Sequence, residues 1–170
     1  MYYIERYNSP LGGITLASDG EALLRLWFDG QKYVDDIPIK KCGEEPADGL
    51  RISVLKETER WLDIYFSGRF PDFTPKLSFE GVSSFRRKVF EILLGVPYGK
   101  LTTYGQIARR LEAETGKRVS AQAVGGAVGH NPIALIVPCH RVVGANNSLT
   151  GYAGGLDKKA FLLKLEGSIK

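Results

Sequence analysis

The sequence predicts a chain of two unlike parts: a small α/β half over residues 1–82, and a mostly α half over 83–170 built on a winged helix-turn-helix. Three observations predict it. The first thirty residues alternate short apolar runs with turn-forming residues, and a helical pattern follows them. Beyond residue 83 helical spacing recurs almost to the end. The charge divides at the same place: residues 1–82 hold 10 Lys/Arg against 14 Asp/Glu, whereas 83–170 hold 13 against 5.

The elements follow in order. "YYIERY", "GGITLASD" and "ALLRLWF" read as strands, separated by "NSPLG" and "SDGE". "PIKKCGEEPADGL" (38–50) has the composition of a loop. From Ile52, the positions Leu55, Thr58, Trp61, Leu62, Tyr65 and Phe66 recur at helical spacing, and Gly68 and Pro71 end that helix. The proline-rich "FPDFTPKLSFEG" connects the halves, with the boundary near Val82. Ser83 or Ser84 caps a helix that carries Phe85, Val89, Ile92 and Leu93 on one face. "PYGKLT" is a turn. Thr103 caps "YGQIARRLEAE", with Gln106 where a capping box requires it, and Gly116 ends it. Ser120 caps "AQAVGGAVGHN", which Asn131-Pro132 stops. "IALIVP" is extended and apolar, and "GANNSLTGYAGG" is a loop. Asp157 opens a last helix closed by Gly167.

Composition excludes several classes. No apolar run approaches the ~20 residues of a membrane span, and "MYYIERYNSP" lacks the basic-then-apolar order of a signal peptide. A cytoplasmic protein without membrane contact is expected. With only Cys42, Cys139, His130 and His140, the roughly four closely spaced ligands of a structural zinc site are not available, so no metal is expected. A Cys42–Cys139 disulfide is not indicated. The basic second half suits a polyanion such as nucleic acid.

Within that half, "AQAVGGAVG" is unusual for a helix. Each internal glycine costs about 1 kcal/mol relative to alanine. Either close helix packing or the approach of a narrow cleft, such as a DNA minor groove, could offset that cost. Gln122 is its one polar side chain, which argues against reading base edges.

"IVPCHRVVG" (136–144) sets a thiol beside an imidazole and a guanidinium, the neighbours that raise a thiolate fraction. Adjacent residues face different ways, so His140 would act on Cys139 through a water. The histidine would need a carboxylate behind it. Acidic residues are scarce here, and Glu166, in the apolar "LLKLEG", is the best partner by elimination. The bland alternative is a core cysteine, a surface histidine and a solvated glutamate.

"VPCHRVVG", with "NP" six residues before "VPC", then "YAGG" and "LLKLEG", resembles the O6-alkylguanine-DNA alkyltransferases (methylated-DNA–protein-cysteine methyltransferases). The similarity is dense over about 83–167 and weak before it. It implies a ribonuclease-H-like first domain and a winged helix-turn-helix alkyltransferase domain. It also implies single-turnover repair of double-stranded DNA, needing no cofactor and performed by a monomer. O6-alkylguanine, and possibly O4-alkylthymine, would be flipped out of the helix to give its alkyl group to Cys139. By the same resemblance His140 is the water-mediated base, Glu166 orients it, and Asn131 braces the site. Tyr104 would donate a hydrogen bond to the base and promote flipping. Ala121, Gln122, Ala123, Gly125 and Gly126 would meet DNA. Arg141, Tyr152, Ala153 and Gly154 would contact DNA or the substrate. The chain departs from the family pattern at Gln122, where an arginine is usual, and at Ala153, where many members have serine. Two competing readings are a lesion sensor, disfavoured because Cys139 is present, and a thiol hydrolase, which would turn over. His130 is expected at the surface and Cys42 as a bystander.

Overall fold

The computed structural model describes residues 2–34 and 52–170. Cys42 and the loop expected over 38–50 lie outside the described residues. Two compact units divide the chain, residues 1–80 with 132–134, and residues 81–131 with 135–170.

The first unit is a three-stranded antiparallel meander of β1 (Tyr3–Ser9), β2 (Gly12–Ser18) and β3 (Leu23–Phe28), with α1 (Ser53–Phe66) packed against it. Ile14, Leu16, Leu23, Leu26 and Phe28 are fully buried, and α1 turns Val54, Leu55, Trp61, Leu62 and Tyr65 inward. Phe66, expected on that face, is half-buried and stacks on Tyr7 at 6.4 Å. The chain returns to this unit for three residues: Leu26 N–H donates to Pro132 O (2.9 Å), and Ala134 N–H donates to Leu26 O (3.0 Å).

The second unit holds α2 (Ser84–Leu94), β4 (Thr102–Thr103), α3 (Tyr104–Thr115), α4 (Ala121–Gly129), β5 (Val142–Val143) and α5 (Leu156–Leu165). Ser83 caps α2. Thr103 and Gln106 form the capping box of α3, with bonds of 3.1 and 3.0 Å, and Gly116 closes it at φ 68°. The five-residue turn to α4 ends at Ser120, whose Oγ accepts from Ala123 N–H at 3.0 Å. Val124, Ala127 and Val128 face α2 and α3 and are buried. β4 and β5 pair in parallel, which brings the segment after Cys139 beside the start of α3. No helix of the described residues is long and apolar enough to cross a membrane.

Candidate active site

The apolar run before the thiol departs from the expected extended form. Of "IALIVP", only Ile133 makes a β-bridge; the rest is a buried turn with Leu135 at φ 68°. Asn131 causes much of this. Its Nδ2 donates to Val137 O at 2.8 Å and closes the segment on itself, so that buried carbonyl is satisfied without a strand partner. Cys139, His140 and Arg141 then form one turn of 3-10 helix, and residues 131–143 are all buried.

The turn aims its three side chains differently. His140 is fully buried, and its Nε2 lies 2.7 Å from Glu166 Oε1. Burial would raise the Glu166 carboxyl, but hydrogen bonds and charge from His140 and Arg141 outweigh it and hold it at about 2. Glu166 is therefore an anion that accepts from Nε2–H, which leaves the lone pair on Nδ1. Burial pushes the imidazole down, with Arg141 and Lys159 adding to it against the pull of Glu166, so His140 rests neutral. The thiol, 6 % exposed, is pushed up by burial. A hydrogen bond with Asn131, the charge of Lys159 and backbone N–H groups work the other way.

Arg141, expected to meet DNA, is instead buried. Its Nε and Nη2 donate to both Glu166 oxygens at 2.9 and 3.0 Å, and Nη1 donates to Val96 O at 2.6 Å. A guanidinium has a planar fork that suits a carboxylate, and here Glu166 and Val96 take it from solvent. Glu166 thus holds a histidine and an arginine at once, and its Oε2 also accepts from Gly99 N–H at 3.4 Å.

Tyr104 opens α3, and its hydroxyl donates to Thr150 O at 3.1 Å. The Tyr152 hydroxyl is buried and has no hydrogen-bond partner among the described residues, and burial and the charge of Cys139 push it up. Ala153 and Gly154 follow it, half-buried. On α4, Ala121, Gln122, Ala123 and Gly126 are exposed, and Gly125 packs against the Tyr104 ring. A Cβ added at Gly126 would meet nothing within 4 Å, so internal packing does not require that glycine. His130 is half-buried, with Nδ1 2.7 Å from Gly126 O.

The sequence reading missed Lys159, which is fully buried beside this site. Its signal was available: Lys159, Leu162, Leu163 and Glu166 share one helical face, so the spacing that turns the leucines inward turns the lysine inward too.

Residues 84–168 match the 6-O-methylguanine DNA methyltransferase, DNA binding domain, and residues 1–79 match the ribonuclease-like domain of the same family. The chain belongs to the methylated-DNA–protein-cysteine methyltransferase family. A methyltransferase of that name from Methanosarcina acetivorans is 46 % identical over 169 residues, covering 99 % of each chain. One from Mycobacterium tuberculosis is 39 % identical, covering 99 % of this chain and 94 % of its own. The crystal structure of M. tuberculosis OGT in complex with DNA superposes with a TM-score of 0.80 at 38 % identity, covering 98 % of this chain and 92 % of that one. The chain thus has the two-domain fold of these methyltransferases, a small sheet domain followed by a helical one, and is a transferase. Cys139 is a free thiol in the methyltransferase's helical domain.

Proposed function

We propose that this protein repairs double-stranded DNA by moving the alkyl group from O6 of a damaged guanine to its own Cys139, once per molecule. The observation that carries the reading is the buried pair of neutral His140 and Glu166, with His140 next in the chain to a buried Cys139, in a chain whose family is named for methyl transfer to cysteine. His140 Nδ1 takes the thiol proton through a water. The thiolate attacks the alkyl carbon, an S–C bond forms, the C–O6 bond breaks, and its electron pair goes to the guanine. The proton returns to the leaving guanine, so atoms and charge balance with no cofactor. The buried Tyr152 hydroxyl, without a hydrogen-bond partner among the described residues, is a donor at hand for that base, and the Tyr104 hydroxyl becomes one when it turns from Thr150 O. Asn131 holds the turn that carries the thiol.

An alkyl carbon on O6 is hidden inside the duplex, so the nucleotide must swing out, at a cost of a few kcal/mol. The exposed face of α4, Ala121, Gln122, Ala123 and Gly126, is uncharged and small, which suits entry into a minor groove. In this reading α3, the turn and α4 are the helix-turn-helix of a winged domain, residues 144–155 are the wing, and the first domain is ribonuclease-H-like. Gln122 fills the space of the flipped base less well than an arginine would. The protein would act as a cytoplasmic monomer.

Cys139→Ala tests the reading. The variant should bind duplex DNA containing O6-methylguanine as tightly as the parent and transfer no methyl group. Residual transfer would mean another acceptor, and lost binding would mean that the thiol serves structure instead.

A further inference from the structure

The cations that make residues 83–170 basic are missing from the face that a minor groove would take. The exposed side of α4 carries no charge, and Gln122 brings none. Arg141 is spent on Glu166 and Val96 inside the protein. The charge that meets phosphate must stand elsewhere.

A groove of about 710 Å³ opens beside α4, within the second unit. The start of α2, the last turn of α3 and the start of α4 enclose it. Phe85, Leu111 and Val119 give it an apolar lining, and Lys88, Lys117 and Arg118 stand round it as exposed cations. The side chains of these three make no hydrogen bond or ion pair among the described residues. Glu114 also lines the groove, but Arg110 Nε donates to it at 3.1 Å and offsets its charge. Ser120 and Ala123 belong to both surfaces: they line the groove and lie on the exposed side of α4.

We infer that this groove seats the sugar-phosphate backbone of one strand flanking the minor groove, with Lys88, Lys117 and Arg118 as its phosphate contacts. The inference rests on the reading that α4 enters that minor groove. The minor groove of B-DNA is only about 6 Å wide, so a helix lying in it has a strand along each flank. The strand on the α2 side passes Ser120 and Ala123 and meets the three cations. Apolar walls of low dielectric concentrate their field there. Contacts of this kind position a duplex without reading its sequence, which suits a protein that must scan undamaged DNA for a rare lesion.

The full-length protein carrying Lys88→Gln, Lys117→Gln and Arg118→Gln, singly and together, tests the inference. Binding to undamaged duplex and to duplex containing O6-methylguanine is followed by fluorescence anisotropy across a range of salt. The slope of log binding constant against log salt should flatten by about one in each single variant and by about three in the triple, equally for both duplexes. Lys56→Gln removes the same charge from an exposed site on α1 and should keep the parent's slope. A triple variant whose slope stays within about one of the parent's overturns the inference, and that is the outcome if the groove holds an acidic protein segment instead. A Lys56→Gln slope that flattens as far as the single groove variants overturns it too. A parent that binds duplex but accepts no methyl group overturns the repair reading and leaves the groove to be judged by the slopes. A parent that binds no duplex overturns both.

Discussion

Glu166 holds both oxygens toward Arg141 while one of them faces His140, so removing its charge has two separate consequences. Glu166→Gln strands a buried guanidinium, which costs on the order of 3–5 kcal/mol of stability. It also takes away the group that fixes the imidazole tautomer, and methyl transfer should slow at least about 10-fold in a rapid-quench assay at a temperature where the variant is folded. An unchanged rate would remove Glu166 from the mechanism. Arg141→Met makes a complementary test. The guanidinium is spent inside the protein, so the slope of log binding constant against log salt on duplex DNA should match the parent's, despite lower stability. A slope reduced by about one would return Arg141 to the phosphate backbone. The misreading of Arg141 has a simple origin. A lone arginine in sequence is assigned to solvent, and the carboxylate that buries it lies 25 residues away in the chain. The pairing of His140 with Glu166 was legible because acids are scarce in this half. Lys159 was legible as well, from its helical spacing with Leu162, Leu163 and Glu166, but a positive charge in a basic half draws no notice.

At the scale of the element, α4 sets fold stability against access. Gly126 has open space where a side chain would stand. Gly126→Ala should therefore raise the stability of the free protein, by up to about 1 kcal/mol in urea denaturation, and should weaken binding to duplex DNA by placing a methyl group in the groove. Stabilisation with unaltered binding would remove that face from the interface. Gln122→Arg should speed repair of duplex substrate and leave single-stranded substrate little changed; equal effects on both would refute a role in flipping. The helices themselves were readable. Thr103 with Gln106, Ser120 with Ala123, and Gly116 are local signals, and the chain honours them. The run 133–138 was not, since periodicity cannot tell a buried strand from a buried turn. The deciding contact was the Asn131 amide on Val137 O.

Across the whole molecule, charge and proton linkage act together. Glu166 sits at about 2 when folded, against an ordinary carboxyl near 4.3. Between those values the unfolded chain binds more protons, so the Glu166 contribution to stability is complete above about pH 5 and drains away as pH falls toward 2, by on the order of 3 kcal/mol. The depressed His140 acts in the same direction below about 6.5. Urea midpoints should drop between pH 5 and 3, and the drop should be shallower in Glu166→Gln; equal slopes would contradict the linkage. The split into an acidic and a basic half could be counted from the sequence. The return of residues 132–134 to the first unit could not, because it depends on pairing with Leu26 over a hundred residues earlier.

The most direct test is stoichiometry. Protein titrated with duplex DNA carrying isotope-labelled O6-methylguanine should take up one methyl group per chain, all of it on the peptide containing Cys139, and then stop. Continued turnover, or label on any other peptide, would contradict the account.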